Sequence, residues 1–202
     1  MIKIVNMIPQ SLSGETNQDS EPNIAVNPIN PRRIAASAFT PDPMGGTNAP
    51  IYVSTDGGDT WILNSVVPSP AGSTTTGDIT LRFSRNNLYA SILRDDGPFA
   101  VLRTNDYAGS TPMTSLESRI NEDQPYVQAA TVVGGPDAGK DRLYIGVNDL
   151  NANPKSATIE QALDAAKRSP SFKSIRIEQR STGSAGQNGP QIRPAIHPDG
   201  TI

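Results

Sequence analysis

Charged side chains recur at the starts of short apolar segments along this chain. Glu21, Asp78 and Asp123 each open a run of alternating apolar residues, Gln124 follows Asp123, and Arg193 opens a fourth run. Two carboxylates about 5 to 9.5 Å apart could perform glycoside hydrolysis. The same groups could hold a polar ligand, or they could stay in solvent and tie neighbouring segments together by ion pairs. Of these interpretations, the solvated or structural one is preferred.

Metal and cofactor chemistry has little support in the sequence. Asp95 and Asp96 in the segment RDDGP are expected to be solvated, and they would bind Ca²⁺ only if carbonyls and further carboxylates completed the shell. His197, the single histidine, lies in the turn HPDG without a second imidazole. Cysteine is absent, which excludes disulfides and thiolate metal sites. We therefore expect no metal and no cofactor, with Ca²⁺ as the one alternative.

The composition favours short strands joined by turns. Only 35% of the 202 residues are hydrophobic and 5% are aromatic, whereas the chain has 17 glycines and 18 prolines. This composition is typical of an all-β fold. A net charge of −3 without a Lys/Arg cluster argues against nucleic-acid binding. No segment has the length of a membrane span or signal peptide, so the chain as written is expected to be soluble: cytoplasmic as it stands, extracellular if a signal has been removed.

A four-strand unit repeats along the chain. The segments RIAASAF, NLYASIL and RLYIGVN begin at residues 33, 87 and 142, which are 54 and 55 residues apart. Each follows a shorter strand-like segment that opens with the charged residues described above, and further apolar runs follow. Four short antiparallel strands in about 50 residues are typical of a β-propeller blade. We therefore predict an all-β propeller of four-stranded antiparallel blades.

The predicted blades have approximate boundaries. Blade 1 covers about 20–66, blade 2 about 77–117 and blade 3 about 122–182, and a fourth begins at 189–202. Residues 2–8 are predicted to be a strand that closes the ring. About three and a half blades do not close a ring, so a complete propeller of six or seven blades needs the remainder of a longer chain or another subunit.

One helix is predicted in the third blade. In ATIEQALDAAKRS, Thr158 and Gln161 form a capping box, which places a helix at 157–169. Its apolar stripe at helical spacing consists of Ile159, Ala162, Leu163 and Ala166. It is expected within a long loop, residues 149–171, between the second and third strands. A helix packed locally on the propeller is the preferred role, and a lid or partner-binding element is the alternative.

The segment STDGGDTW, residues 54–61, holds the most specific motif. Its fixed positions Ser54, Asp56, Gly58, Thr60 and Trp61 fit S-x-D-x-G-x-T-W. Gly58 suits a turn with positive φ, and the Asp56 carboxylate can accept backbone N–H bonds within the loop. Trp61 can bury its ring between neighbouring blades. The loop is therefore predicted to be a structural fastening between two strands.

A degenerate copy of this motif lies in the second unit. Thr104, Asp106, Gly109 and Thr111 match the first four positions after one inserted residue, and Pro112 replaces the tryptophan. In the third unit, IRIEQRSTG from Ile175 is assigned to the corresponding place and lacks the aspartate.

The motif resembles the Asp box of the sialidase and BNR-repeat superfamily, whose members are β-propellers. The resemblance implies that the Asp box is structural and joins a blade's third and fourth strands. It also implies that ligands bind on the opposite face, formed by the strand-one starts and by the loops at 40–50, 94–98 and 149–171. The arginine triad of true sialidases is not matched, and Arg82 and Arg193 are candidate channel residues that do not reproduce the family pattern.

The function implied by the resemblance is non-catalytic binding of a glycan or protein at the channel mouth. One alternative is a sialidase-like glycoside hydrolase whose remaining catalytic residues lie beyond Ile202. The other is a structural subunit of a larger assembly.

Overall fold

Regular structure in the described part of the chain consists of twelve β-strands and no helix. A computed structural model describes residues 2–8, 20–39, 49–68, 77–93, 98–152, 154–179 and 192–202. The strands are β1 Ser20–Val26, β2 Ile34–Phe39, β3 Ala49–Ser54, β4 Ile62–Val67, β5 Ile79–Ser84, β6 Asn87–Ile92, β7 Phe99–Thr104, β8 Thr114–Arg119, β9 Glu122–Thr131, β10 Asp141–Asp149, β11 Ser156–Ala162 and β12 Lys173–Gln179. None of the described segments forms a helix long and apolar enough to cross a membrane.

The strands form three four-stranded antiparallel sheets, each a meander of consecutive strands. Sheet I contains β1 to β4, sheet II contains β5 to β8 and sheet III contains β9 to β12. The predicted all-β class and four-stranded antiparallel units are therefore confirmed. The units form because period-2 apolar runs alternate with turns rich in Asn, Gly, Pro and Asp, which favour hairpins between sequential strands.

Sheet II lies between the other two sheets, and its two faces have different partners. On one face Leu81 and Phe83 of β5 pack in a core with Ile51 and Val53 of sheet I. The other face contributes Phe99 and Val101 to a core with Leu143, Ile145 and Val147 of sheet III. Alternation along each strand accounts for this division, because successive side chains point to opposite faces of a sheet.

The first strands of the three sheets lie side by side, with β5 in contact with both β1 and β9. Hydrogen bonds from side chains connect these first strands. Between sheets I and II, Asn23 Oδ1 accepts a bond from the Leu81 N–H at 2.8 Å. Between sheets II and III, Thr80 Oγ1 accepts a bond from the Val127 N–H at 2.8 Å and donates to Pro125 O at 3.2 Å. The three strand starts therefore meet at one end of the row.

The predicted helix at 157–169 is wrong. Residues 156–162 form β11, the third strand of sheet III, and turns follow it. β11 pairs with β10 on one side and with β12 on the other, so its backbone groups are satisfied within a sheet. Ile159 is buried, whereas Leu163 of the supposed apolar stripe is 48% exposed. Pairing on both sides outweighs the local helical pattern, because short apolar runs are ambiguous in period.

Two loop assignments in the third unit change as a result. The connection between its second and third strands is 150–155, not 149–171, and the connection between its third and fourth strands is 163–172. The segment IRIEQRSTG therefore starts inside β12 instead of forming that connection, and its residues 180–183 lie outside the described part. The predicted ring-closing strand at 2–8 is not formed among the described residues, and Ile2 and Ile4 are more than 90% exposed.

The segment 192–202 packs across the face of sheet III that points away from sheet II. The Tyr144 hydroxyl donates to Gly200 O at 2.8 Å, and the Val133 N–H donates to Pro198 O at 2.8 Å. Gly146 permits this approach, because a Cβ at this position would lie 2.2 Å from Ile192 O. Close backbone contact is a common reason for glycine within a strand.

Candidate functional site

A polar cleft of about 470 Å³ lies where the starts of β1, β5 and β9 meet the segment that begins at residue 192. We call it the strand-start cleft. The residues that line it come from four separate stretches of the chain: Glu21, Pro22, Asn23, Asp78, Ile79, Thr80, Gln124, Pro125, Tyr126 and Arg193. Volumes of this size are typical of small-ligand sites.

Two residues of this cleft have a backbone conformation that is unusual for side chains of their size. Glu21 has φ 51° and Gln124 has φ 52°, and each precedes a proline. Strand pairing is irregular at both places, between Ser20 and Asn23 and opposite Gly146 and Asn148. Positive φ is uncommon outside glycine, and such bulges redirect side chains. Both unusual conformations occur at the mouth of the same cleft, where strained residues are often functional.

Acids, a cation, an amide and an aromatic ring share the cleft. The Arg193 guanidinium lies over the Tyr126 ring, with Cζ 5.3 Å from the ring centroid. Gln124 Oε1 accepts a bond from Asn148 Nδ2 at 2.8 Å, which holds this amide against β10. Glu21 is exposed and Asp78 is half-buried. The cleft therefore presents hydrogen-bonding groups and charges of both signs to solvent.

Four of the predicted ligand-face residues line this cleft: Glu21, Asp78, Gln124 and Arg193. Asp123 is not among its lining residues, and its carboxylate accepts a bond from the Gln124 N–H at 2.9 Å. Arg82 lines a different cleft and donates from Nε to Gln128 Oε1 at 2.8 Å. Asp95 and Asp96 lie outside the described residues.

The loop at 54–61 is closed by its own side chains. Ser54 Oγ donates to Asp56 Oδ1 at 2.8 Å and accepts a bond from the Gly58 N–H at 2.9 Å. Thr60 donates to Asp56 from its hydroxyl at 2.6 Å and from its N–H at 3.0 Å. These bonds hold the pKa of Asp56 well below its usual range, and the bond from the Thr60 hydroxyl makes the largest contribution. The half-buried Trp61 donates from Nε1 to Gly58 O at 3.2 Å, within the same loop.

The corresponding loop of sheet II is built differently. The Asp106 N–H donates to Thr104 Oγ1 at 2.9 Å, and the Gly109 N–H donates to Asp106 O at 3.1 Å. A Cβ at Gly109 would lie 1.9 Å from Asp106 Oδ2, so a larger residue here would displace the Asp106 carboxylate. No hydrogen bond between described residues joins Thr111 to Asp106, in contrast to the Thr60–Asp56 pair.

Tyr107, the residue next to Asp106, was not identified from the sequence. Its hydroxyl donates to Ser54 O at 3.1 Å, and its ring packs edge-on against Phe83 with centroids 5.3 Å apart. Asn64 Nδ2 donates to the carbonyls of Tyr107 and Gly109, both at 2.8 Å. The two loops are therefore fastened to each other across sheets I and II. In the sequence, the only indication of this role was that the degenerate copy of the motif contains an aromatic residue, Tyr107.

Asp141 is a second residue that the sequence did not reveal. It is 3% exposed and lies between sheets II and III. Its Oδ1 accepts bonds from Ser84 Oγ at 2.8 Å and Thr131 Oγ1 at 2.7 Å. Its Oδ2 accepts bonds from Asn87 Nδ2 and the Tyr89 hydroxyl, both at 2.8 Å. Burial, followed by the charge of Asp141, raises the pKa of Tyr89 far above its usual range.

A group of carboxylates is also buried between sheets II and III. Glu122 is 6% exposed and Glu160 is 0% exposed. Glu122 Oε2 and both carboxylate oxygens of Glu160 have no hydrogen-bond partner in the described structure. Arg119 NH2 lies 3.3 Å from Glu160 Oε2. Burial, followed by the charges of Glu160 and Asp149, raises the pKa of Glu122 to about 8.

Metal coordination finds no support in the described part of the chain. There, no group of three or more acidic or histidine side chains is placed to hold a metal ion. His197 Nδ1 lies 3.0 Å from Asp199 Oδ1, and both side chains are more than half exposed. The strand-start cleft is the candidate functional site, because residues from four separate chain segments converge on it. No protein-family model matches this chain, and no curated protein and no solved structure matches it at a significant level.

Proposed function

We propose that this chain is part of a β-propeller of the sialidase/BNR type and acts as a non-catalytic glycan-binding module. Three four-stranded meanders with adjacent first strands support the propeller, because radial stacking of blades brings first strands together around an axis. The turn at 197–201, closed by the His197 N–H to Thr201 O bond of 2.8 Å, supports the start of a fourth unit. The motif at residues 54–61 supports the family.

One observation carries the binding proposal: residues from four separate chain segments converge on one polar cleft. A glycan presents many hydroxyl groups, and the acids, amide and hydroxyl of the cleft offer both donors and acceptors for them. The bond from Asn148 Nδ2 holds the Gln124 amide in place before any ligand arrives. A site organised in advance loses less entropy on binding.

A glycan array probed with the 202-residue chain tests this function. We expect a restricted set of glycans to bind, and Arg193→Gln to weaken the best of them by about tenfold, because a charge-assisted hydrogen bond and the contact with Tyr126 are lost. Arg168→Gln is the matched control, because Arg168 is exposed in the 163–172 connection and lies outside the cleft. Equal binding by the two variants would argue against the cleft as the site.

The second candidate, a glycoside hydrolase, is favoured by the presence of Glu21 and Asp78 in one cleft. Incubation of the bound glycans with the chain distinguishes the two functions. Unchanged glycans support a binding module. Cleavage that is abolished by Glu21→Gln or Asp78→Asn would identify an enzyme. Cleavage that survives both substitutions would clear these two residues of catalysis.

Two further outcomes define the limits of the proposal. A chain that binds no glycan but captures a defined protein through the Arg193 side of the cleft would be a protein-binding module. A chain that binds neither and sediments as a large uniform assembly would be a structural subunit.

A further inference from the structure

A second cleft lies at the opposite ends of the same first strands. Its volume is about 430 Å³, and we call it the strand-end cleft. The described residues that line it belong to the ends of β1, β5 and β9 and to the segment after residue 192: Val26, Pro28, Ile29, Arg82, Phe83, Ser84, Arg85, Ala129, Ala130, Thr131, Val133, Ile196 and Pro198. It shares no residue with the strand-start cleft.

The walls of the strand-end cleft are largely apolar and partly in water. Val26 is 46% exposed, Ile29 is 60% exposed and Val133 is 71% exposed. Val26 ends β1 and Ile29 lies in the turn after it, whereas Val133 follows β9, so the apolar surface results from the arrangement of sheets I and III. Covering such surface is favourable because it removes apolar groups from water. Apolar walls around a cleft of about 430 Å³ are typical of small-molecule sites.

The charge of the cleft has one sign. Arg82 and Arg85 are the charged side chains among its described lining residues, and no carboxylate is among them. Arg82 donates from Nε to Gln128 Oε1, and no ion pair within the described residues neutralises either guanidinium. The whole chain has a net charge of −3, so this local excess of positive charge runs against the overall balance.

The backbone holds Arg85 at the rim. Arg85 has φ 48° in the tight turn between β5 and β6, where Ser84 pairs with Asn87. Its carbonyl accepts a bond from Asn27 Nδ2 at 2.7 Å, which fixes the turn to sheet I. A non-glycine residue in the left-handed region costs energy and is often retained at ligand sites. The turn therefore places a guanidinium at the edge of an apolar cleft.

We propose that the strand-end cleft binds a small organic anion with an apolar body, of the chemistry of a medium-chain carboxylate. The apolar walls cover the body, and the guanidinium groups of Arg82 and Arg85 receive the anionic head, because guanidinium matches carboxylate geometry. A cleft of 430 Å³ suits a small molecule rather than a folded partner. This site is independent of the proposed glycan function.

Titration calorimetry with octanoate, below the concentration at which it forms micelles, tests the proposal. We expect octanoate to bind at least about tenfold more tightly than acetate, which lacks the apolar body, and than octylamine, which has the opposite charge. Methyl signals of Val26, Ile29 and Val133 in NMR spectra should shift on addition of octanoate.

Arg85→Gln should weaken octanoate binding at least about fivefold, because a charge-assisted hydrogen bond is lost. Arg85 is exposed and Gln has a similar backbone cost at this φ, so the variant should keep its thermal stability. Arg168→Gln, an exposed arginine outside the cleft, should bind like the unaltered chain. Val133→Ser should weaken octanoate binding without changing the preference for an anion over a cation.

Three results would overturn the proposal. The first is no octanoate binding in the millimolar range. The second is equal binding of octanoate and octylamine, which would indicate a non-specific apolar patch. The third is an acidic peptide that binds this cleft where octanoate does not, which would assign the cleft to a protein partner.

Discussion

The interface between sheets II and III buries carboxylates in two contrasting ways. At Asp141, four side chains donate hydrogen bonds of 2.7 to 2.8 Å to one carboxylate. At Glu122 and Glu160, three carboxylate oxygens lack any hydrogen bond within the described residues, and Arg119 supplies a guanidinium. Both groups lie between the same two sheets and are almost fully buried. Two carboxylate sites with similar burial therefore differ in the number of hydrogen bonds that their oxygens accept.

The contrast shows how burial and hydrogen bonding together set the pKa of Glu122. Desolvation penalises a charged carboxylate, and hydrogen bonds to its oxygens compensate for that penalty. Glu122 lacks such compensation and faces the charges of Glu160, Asp149 and Glu117, with Arg119 opposing them, so its pKa rises to about 8. One interface thus contains a satisfied network that joins two sheets and a proton-binding group that responds to pH.

Removing the satisfied carboxylate has the largest expected effect. Asp141→Ala should lower the free energy of unfolding by about 3 to 5 kcal/mol, because it leaves four donors without an acceptor, of which those of Ser84 and Tyr89 are buried. Urea denaturation measures the loss. Asp59→Ala, at an exposed carboxylate paired with Lys3, is the control and should change stability little. A loss of less than about 1 kcal/mol in Asp141→Ala would show that the network does not stabilise the interface.

Raising the pH should lower the stability of the protein through Glu122. The folded-state pKa of Glu122 is raised above that of an unfolded glutamate, so its contribution to stability is complete at low pH and is lost as pH rises toward about 8. Between pH 5 and 8 the free energy of unfolding should fall by up to about 1.4 kcal/mol per pH unit. Denaturation of the unaltered chain and of Glu122→Gln checks this, because the variant should lack the slope. Parallel curves would contradict the raised pKa.

Removing one tyrosine hydroxyl at a time compares the stability gained from a hydrogen bond to the Asp141 carboxylate with that gained from a bond to the Ser54 carbonyl. Tyr89→Phe removes a donor to the Asp141 carboxylate and should cost about 1.5 to 3 kcal/mol. Tyr107→Phe removes a donor to the Ser54 carbonyl and should cost about 0.5 to 1.5 kcal/mol. Both hydroxyls are buried, so thermal and urea unfolding can be compared directly. The reverse order of costs would mean that the Asp141 network is weaker than its geometry indicates.

The smallest expected effect concerns coupling between the two glutamates. Glu160→Gln removes the second-largest cause of the raised pKa of Glu122. The midpoint of the Glu122 carboxyl titration, measured by NMR, should therefore fall below about 8. Burial, the largest cause, remains, so the midpoint should stay above the usual value for glutamate. An unchanged midpoint would show that Glu160 and Glu122 do not interact.

The strands could be predicted because their signals are local. The segments at 34–39, 87–92 and 141–149 carry apolar alternation and follow turn residues, and each forms the second strand of its sheet. The pattern at 157–169 was misleading, because a short apolar run fits a helix or a central strand equally well. Only the pairing of β11 with β10 and β12 resolves that ambiguity.

The candidate cleft was partly predictable for a topological reason. Strands that start at one end of a row bring their first residues together, which explains why Glu21, Asp78, Gln124 and Arg193 share a cleft. Asp123 is absent from that lining because the backbone irregularity at Gln124 breaks the alternation of side chains. The strand-end cleft was not predicted, because its walls form only where the ends of β1, β5 and β9 meet the segment after residue 192.

The sequence alone determines the strand periodicity, the turn residues and the repeat of about 50 residues, because each depends on residues close along the chain. Other features depend on residues that the fold brings together from distant segments. They are the raised pKa of Glu122, the four hydrogen bonds to Asp141 and the sets of residues that line the two clefts. Asp141, for example, meets Ser84 and Tyr89 from 57 and 52 positions away. Solvation and hydrogen bonding act through space, so only the folded arrangement of the three sheets sets them.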